Sequence, residues 1–142
     1  MHKTESSKQI LELIPRIMRL IRTEMRGHAQ GQLTIPQLRI LLKLTRTTLT
    51  HREVAEWMGI TPATLTRMVD VLVHRKLATR KTDPSDRRQI HLTPTTLGKK
   101  MAENYMKQTD IWIQKKVEGL SIENQNGLLT GLSILAELFP EE

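Results

Sequence analysis

The 142-residue sequence predicts a mainly α-helical fold with one small β-hairpin, of the α+β class. Three segments between residues 33 and 65 each have the residue pattern of a helix start. Two short alternating runs then flank a turn sequence, which is typical of a hairpin. Segments with helical apolar spacing lie before and after this stretch. The length suits one domain, residues 1–142, with one sizeable core.

The composition excludes several classes of protein. Apolar residues make up 38% of the chain and charged residues 26%, which is a globular balance. No apolar run approaches the roughly 20 residues of a membrane span, and the start MHKTESSKQ lacks the pattern of a secretory signal. The absence of cysteine excludes disulfides, thiolate metal sites and thiol-based redox sensing. Together these features predict a cytoplasmic protein.

The chain is basic, with 22 Lys and Arg against 15 Asp and Glu, a net charge of +7 and a pI near 10.1. Six bases and two acids lie between Arg75 and Arg88, so this segment holds +4 of that charge. Such a segment is either solvated surface or a site for nucleic acid, and less often for an anionic membrane. Aromatic residues are only 3%, too few for base-stacking platforms, so double-stranded DNA is the favoured nucleic acid.

Each predicted helix start combines two independent features. The segments LTIPQL, LTHREV and ITPATL share the order apolar residue, threonine, three residues, apolar residue. The threonines Thr34, Thr50 and Thr61 are predicted N-caps, and the flanking apolar pairs are predicted hydrophobic staples. Gln37 and Glu53, at the third helical position, complete capping boxes in the first two segments.

The three helices are predicted over about residues 35–44, over about 51–58 and from Pro62 onward. Gly59 ends the second helix because glycine readily takes a positive φ, and Pro62 suits the first position of the third. After these helices LATRKT and RQIHLT are predicted strands, and Asp-Pro-Ser-Asp between them is turn chemistry. The Asp83 side chain is expected to cap that turn.

The flanking segments, residues 5–29 and 95–139, are predicted helices. The first either begins near Pro15 or is kinked there, and Ser121 caps the last helix. Their apolar stripes pack either within the monomer or against a second copy, which makes the following residues candidates for dimerisation: Ile10, Leu13, Ile17, Leu128, Leu132 and Leu135.

Two short helices joined by a tight glycine turn form a helix-turn-helix, and a basic hairpin after the second helix makes it winged. This core spans residues 33–93, and the start of its second helix is expected in the major groove of duplex DNA. The candidate base-reading residues are Pro62, Ala63, Thr64, Thr66 and Arg67. The candidate contacts to the DNA backbone are Thr50, Thr61, His74, Arg75, Arg80, Lys81 and Arg87.

The segments LTIPQLRILLKL, LTHREVAEWMGITPATLTRMVDVL and DPSDRR resemble, in unbroken register over about residues 33–100, the MarR family of bacterial and archaeal transcription regulators. The resemblance implies a homodimeric winged-helix regulator whose flanking helices dimerise. It also implies that Asp86 and Arg88 form a pair in the wing, with Arg88 reaching into the minor groove. Because Asp86 precedes Arg88 by two residues, we expect it to hold that guanidinium in a planar pair.

Two departures from the family pattern affect local structure. Lys76 stands where the family often has glycine, so it takes a left-handed conformation at some cost or the helix ends another way. The residues Pro94 to Gly98 align with the family's LTxxG, with Pro94 in the place of leucine. Local pattern makes Thr93 the cap of the next helix, whereas the ungapped register makes it Thr95, which we prefer.

The resemblance further suggests a small lipophilic, often phenolic, ligand that relieves DNA binding by a repressor. Trp57, Tyr105 and Trp112 are candidates to line its pocket, although each is more commonly plain core. No cofactor or metal is expected. The chain lacks a Cys nucleophile, a Gly-x-Ser-x-Gly elbow and metal-ligand spacing among its histidines, so no enzyme is predicted. The alternative function is a winged helix used for protein–protein contact.

Overall fold

The computed structural model describes residues 2–29 and 33–141, without the side chains of residues 28 and 29. The mainly helical fold with a hairpin is confirmed. The elements are α1 (His2–Ala29), α2 (Ile35–Arg46), β1 (Leu49–Thr50), α3 (His51–Met58), α4 (Pro62–His74), β2 (Ala78–Thr82), β3 (Ile90–Pro94), α5 (Thr96–Val117) and α6 (Ile122–Leu138). They form two compact units, residues 1–109 and 110–142, and α5 runs from one into the other.

Helix α1 is continuous through Pro15. The alternative in which the first helix begins near Pro15 is therefore wrong, because the helix begins at His2. Proline has no N–H, so the carbonyl of Leu11 loses its usual helical partner. Leu11 is 75% exposed, so water reaches this part of the helix and can satisfy the carbonyl.

The three threonine N-caps are confirmed. The hydroxyls of Thr34, Thr50 and Thr61 accept hydrogen bonds from backbone N–H groups of the first turns of α2, α3 and α4, at 3.2–3.3 Å. Gln37 and Glu53 accept in return from the backbone N–H of Thr34 and Thr50, which completes both capping boxes. The apolar residues of the three predicted staples all lie in the core or pack against it.

Helices α3 and α4 end in the same way. Gly59 and Lys76 have φ of 66° and 61°, so both are left-handed. The N–H of Lys76 donates to the carbonyl of Val73, and the N–H of Leu77 donates to that of Leu72, at 3.0 and 2.8 Å. This is a Schellman motif. Of the two alternatives for Lys76, the structure therefore shows the left-handed conformation, which costs a non-glycine residue on the order of 1 kcal/mol.

The hairpin is confirmed, and it belongs to a three-stranded antiparallel sheet in the order β1-β3-β2. Arg80 lies opposite Leu92, and Leu49 of β1 pairs with the same leucine from the other side. The sequence did not predict β1. This strand has only two residues, and its pattern coincides with the staple and cap that start α3.

The start of α5 is fixed by Thr95. Its hydroxyl accepts from the N–H of Gly98 at 3.0 Å and donates to the carbonyl of Lys76 at 2.7 Å, while its own N–H donates to Leu77 at 3.0 Å. The preference for Thr95 as the cap is confirmed, and the alternative Thr93 is wrong because it lies within β3. These bonds attach α5 directly to the end of the α4 turn.

One core fills the first unit. Its large, completely buried side chains come from α2, α3, α4, the loop after α4 and β3, and burying each one stabilises the fold by about 1.5–3 kcal/mol. The largest of them are Leu38, Ile40, Leu41, Leu65, Leu72, Leu77, Leu92, Val54 and Val69. This core fixes the sheet and the back of α4 relative to each other.

The second unit contains the end of α5 and all of α6. Ser121 caps α6, because its hydroxyl accepts from the N–H of Asn124 at 3.2 Å. No residue of α6 is buried within the described chain, although the helix is rich in leucine. Among the described residues, no helix is both long enough and apolar enough to cross a membrane.

Candidate nucleic-acid interface

Helix α4 has one buried face and one open face. Leu65, Val69 and Leu72 are buried in the core. The predicted base-reading residues all lie on the exposed side of the first turns: Pro62, Ala63, Thr64, Thr66 and Arg67. The N-cap of Thr61 fixes this end of the helix, so the exposed residues project from a rigid element.

Several cations beside this face are not neutralised. Among the described residues, none of the following exposed side chains has a carboxylate partner: Arg67, Arg75, Lys81, Arg87 and Arg88. His74, another predicted backbone contact, is also exposed. The face formed by α4 and the hairpin therefore has a positive charge available for an external anion.

Arg80 differs from these cations because the protein already engages its guanidinium. It forms an ion pair with Asp70 and donates to the carbonyl of Thr66 at 3.3 Å. Arg80 thus ties strand β2 of the wing to helix α4. Its predicted contact with the DNA backbone stays a prediction.

The tip of the hairpin is organised by Asp83, as predicted. One carboxylate oxygen accepts from the N–H and hydroxyl of Ser85, at 2.8 and 2.6 Å, and from the N–H of Asp86 at 3.3 Å. The other oxygen lies 2.8 Å from Nε2 of His91. These hydrogen bonds favour the ionised carboxylate and hold the pKa of Asp83 well below its usual range, with Ser85 the largest cause.

Asp86 has a different role from the predicted one. Its carboxylate accepts from the backbone N–H of Arg88 at 3.0 Å. Within the described wing no ion pair joins the two side chains, so the predicted planar pair with the guanidinium is wrong. A carboxylate two residues earlier naturally reaches a main-chain N–H, as in an Asx turn. Asp86 therefore shapes the backbone that carries Arg88.

A concave surface of about 330 Å³ lies between the start of α3 and the wing. It is lined by Thr50, His51, Arg52, Asp86, Arg88, Gln89 and Ile90. His51 and Arg52 were not among the predicted site residues, since no sequence pattern indicates that the wing folds back against α3. The pairing of β1 with β3 is what brings these segments together.

His51 also contacts α4. Its Nε2 lies 3.2 Å from the hydroxyl of Thr66. Partial burial lowers the pKa of His51, Arg80 lowers it further and Asp70 opposes this. The ring is therefore mostly neutral at pH 7. His51, Thr66, Asp70 and Arg80 together join α3, α4 and β2 at the open face.

The three aromatic candidates for a ligand pocket have different surroundings. Trp57 is 40% exposed, with the cations of Arg39 and Lys43 at 5.3 and 5.2 Å from its ring centre. Tyr105 is only 4% exposed and belongs to the core, and burial raises its pKa. Trp112 belongs to the second unit, where Lys116 lies over its ring at 4.7 Å. Their role in lining a ligand pocket stays a prediction.

A concavity of about 800 Å³ lies between α1 and α2. Its lining combines three arginines with apolar groups: Arg22, Arg26, Leu33, Thr34, Ile35, Pro36 and Arg39. Such a surface suits a ligand with an apolar body and an anionic group. Among the described residues, no cluster of three or more potential ligands could hold a metal ion.

The candidate dimerisation residues are accessible within a single chain. On α1, Leu13 and Ile17 are exposed and Ile10 is half-buried. On α6, Leu128 and Leu132 are exposed and Leu135 is half-buried. Each helix thus presents an apolar surface that its own unit does not cover.

Residues 32–89 match the sequence model of the MarR family. Most of the winged-helix core is thus similar to the MarR family. The matched segment contains the open face of α4 and most of the hairpin, which are the parts that carry the free cations. No curated protein sequence matches the chain significantly.

Similarity to solved structures covers nearly the whole chain. The chain is similar to RV1404 from Mycobacterium tuberculosis, with 22% identity, a TM-score of 0.82 and coverage of 100% of this chain and 97% of the other. It is also similar to the transcriptional regulator Tm0710 from Thermotoga maritima, with 25% identity, a TM-score of 0.74 and 94% of each chain covered. YusO from Bacillus subtilis shares 26% identity at a TM-score of 0.70, with 95% of each chain covered.

Proposed function

We propose that this MarR-family chain is a sequence-specific DNA-binding repressor of transcription that binds a pseudo-palindromic duplex as a homodimer. One observation carries the proposal: the capped start of α4 is exposed beside Arg67, and no carboxylate in the described chain neutralises Arg67 or the wing residues Arg87 and Arg88. Duplex DNA supplies both a groove wide enough for α4 and the phosphates that these cations require.

In this proposal each part of the face has its own task. The first turns of α4 enter the major groove, where Arg67 binds a guanine through two hydrogen bonds. The wing lies along the neighbouring minor groove with Arg88 inserted, and Asp86 holds the backbone from which Arg88 projects. Arg80 keeps the wing and α4 at a fixed spacing, so that both engage one duplex together.

The exposed apolar surfaces of α1 and α6 support the homodimer. A second copy is the partner that the proposal assigns to them, since one recognition helix reads too few base pairs for a specific site. Two-fold symmetry would place the recognition helices about 34–36 Å apart, one turn of DNA, and requires a pseudo-palindromic operator. A role on bacterial or archaeal DNA also implies a cytoplasmic location.

The proposal includes release of DNA by a small ligand in the concavity between α1 and α2. The arginines there favour an aromatic carboxylate over a neutral lipophile, because an anionic group needs a cationic partner when it leaves water. Benzoate is a suitable probe. Binding measured by calorimetry should weaken in Arg26→Ala, since Arg26 lines the concavity.

The alternative function, a winged helix used only for protein contact, makes a different prediction about DNA. It predicts weak binding that is the same for every duplex sequence and that depends strongly on salt. A protein that selects one palindrome from a random duplex pool contradicts the alternative directly.

Two substitutions test the proposal at the face itself. We expect Arg67→Ala to reduce discrimination between the selected palindrome and a scrambled duplex by about tenfold or more, the value of one good bidentate contact. We expect Arg88→Ala to weaken binding to both duplexes by a similar factor. Fluorescence anisotropy at fixed salt measures both.

Lys107→Ala is the matched control, because Lys107 is an exposed cation eleven residues after the start of α5. It removes the same charge from α5 and leaves α4 and the wing unchanged. If Arg67→Ala and Arg88→Ala bind both duplexes as well as Lys107→Ala does, the proposed interface is refuted.

A further inference from the structure

We infer that Thr66 reads an exocyclic amino group, adenine N6 or cytosine N4, and that His51 is the positioning residue that sets this preference. The inference rests on the proposed function and names the base chemistry that one residue of α4 recognises. It follows from the directions of two hydrogen bonds inside the protein.

The first hydrogen bond uses the only proton that the Thr66 hydroxyl has. Its oxygen lies 2.9 Å from the backbone carbonyl of Pro62, one helical turn earlier. A carbonyl can only accept, so Thr66 must be the donor. Three other threonines in long helices of this chain, Thr23, Thr109 and Thr130, bond the carbonyl four residues earlier in the same way.

The second hydrogen bond must then run from His51 to Thr66. The two atoms, Nε2 and Oγ1, are 3.2 Å apart, and the threonine proton is already committed to Pro62. The donor is therefore Nε2 of His51, which fixes the tautomer with the proton on that nitrogen. Burial and Arg80 lower the pKa of His51, so at neutral pH the ring holds this single proton.

One lone pair of the Thr66 hydroxyl remains available, and it points to no donor within the described chain. A hydroxyl in this state can only accept. In the major groove adenine N6 and cytosine N4 offer N–H donors, whereas guanine and thymine present acceptors and a methyl group. An acceptor held in place therefore favours adenine or cytosine at the contacted base and is repelled by guanine O6 or thymine O4.

The surroundings hold the hydroxyl still. Arg80 donates to the carbonyl of Thr66 itself, and its ion pair with Asp70 lies one turn further along α4. His51 is the first residue of α3, directly after the N-cap Thr50, so its backbone is also fixed. Both partners of the Thr66 hydroxyl thus belong to capped helix starts, and the hydroxyl loses little freedom when DNA binds.

The test is a selection of bound sequences from a random duplex pool with three proteins. The wild type should enrich adenine or cytosine at one position of each half-site. Thr66→Val keeps the shape of the side chain and removes the hydroxyl. It should reduce this preference about 3- to 10-fold and leave the preferences at the other positions of the half-site unchanged. Thr66→Ser keeps the hydroxyl and should keep the preference.

His51 variants separate positioning from folding. We expect His51→Leu to weaken the preference at the position that Thr66→Val affects, and we expect His51→Gln, whose amide N–H replaces the donor, to restore it. Thermal unfolding of each variant shows whether it is folded. The ¹⁵N spectrum of the imidazole rings in the wild-type protein tests the tautomer without DNA: Nε2 of His51 must carry the proton.

Each result decides between distinct statements. A wild type that enriches no sequence refutes both the proposed function and this inference. A wild type that selects an operator, while Thr66→Val leaves every preference unchanged or removes one for guanine or thymine, refutes the inference alone. A neutral His51 ring with its proton on Nδ1 and none on Nε2 also refutes the inference, regardless of which sequences are selected.

Discussion

Lys76 shows at the level of one residue how a departure from a family pattern is accommodated. The Schellman motif after α4 requires a left-handed residue, and the chain supplies a lysine. The motif survives because Leu77, the next residue, is buried in the core with Leu72, and both are almost fully shielded. The stabilisation from burying Leu72 and Leu77 exceeds the free-energy cost of the backbone strain at Lys76.

Replacing Lys76 with glycine should therefore stabilise the protein. We expect Lys76→Gly to raise the free energy of unfolding by about 0.5–1 kcal/mol, because glycine takes a positive φ without a Cβ clash. Urea unfolding measures the change. The reverse substitution, Gly59→Lys at the equivalent left-handed position, should lower the free energy of unfolding by a similar amount. Equal free energies of unfolding for the wild type and both variants would contradict this account.

Asp83 gives the hairpin tip a defined dependence on pH. Its pKa in the folded protein is depressed by hydrogen bonds to Ser85 and His91, so its stabilising effect is complete above the ordinary aspartate pKa of about 3.9. The effect is lost only as the pH falls below that value through the lower, folded pKa. We expect the amide signals of Ser85 and Asp86 to stay constant from neutral pH to about pH 4 and to shift only in stronger acid.

Asp83→Asn is the comparison for that titration. It removes the titrating group. The same amide signals should therefore show no transition of residue 83 over this acidic range. A wild-type transition centred at or above the ordinary aspartate pKa would show that the turn does not favour the carboxylate.

At the scale of elements, α5 approaches the end of α4 closely. A Cβ built on Gly98 would lie 2.0 Å from the carbonyl oxygen of Leu77, which already accepts from Thr95. Neither backbone can move without breaking the bonds of Thr95 to Lys76 and Gly98. The wing is anchored at both ends by this junction, since β2 starts beside it and β3 ends there.

We expect Gly98→Ala to destabilise the protein by about 2 kcal/mol or more, because the clash is with backbone and not with a flexible side chain. Thermal or urea unfolding measures it. Gly127→Ala in α6 is the matched control, since no atom lies within 4 Å of the added Cβ, and it should stabilise by about 0.5–1 kcal/mol through helix propensity. A Gly98→Ala protein as stable as the wild type would contradict the close approach.

The elements that the sequence predicted well are those fixed by neighbouring residues. The caps at Thr34, Thr50 and Thr61 and the left-handed turn at Gly59 depend on residues within one helical turn, so their patterns are visible in the chain. The choice of Thr95 over Thr93 is tertiary, because it depends on the carbonyls of Lys76 and Leu77. Only the family register, and not the local pattern, indicated it.

The features that the sequence did not predict depend on contacts distant along the chain. The strand β1 and the contact of His51 with Thr66 exist because α3, α4 and β3 meet in three dimensions. The candidate pocket of Trp57, Tyr105 and Trp112 stays a prediction. Residue type alone suggested it, and only the fold shows that cations lie against the ring of Trp57 and that Tyr105 is buried in the core.

For the whole molecule, the exposed apolar side chains of α1 and α6 are the feature that a second copy would explain. Apolar side chains in contact with water are costly when they are contiguous. We expect the wild type to sediment as a dimer, and we expect Leu132→Glu or Leu13→Glu to shift it toward monomer, because burying an unpaired carboxylate opposes association. Sedimentation equilibrium measures the change.

Asn104→Asp adds the same charge at an exposed polar position on α5 and should leave the dimer intact. The monomerised variants should also lose most of their affinity for a palindromic duplex while retaining that for a single half-site. Dimers of unchanged stability in both Glu variants would show that other surfaces associate.

The central claim, that the α4 and wing face reads a specific duplex, is tested most directly by one measurement on the unmodified protein. The measurement compares two affinities over a series of salt concentrations. One is for a palindrome selected from a random pool, and the other is for a scrambled duplex of equal length. We predict a palindrome bound about 10³-fold or more tightly at physiological salt, with both affinities falling as salt rises. Equal affinities for the two duplexes at every salt concentration would contradict the claim.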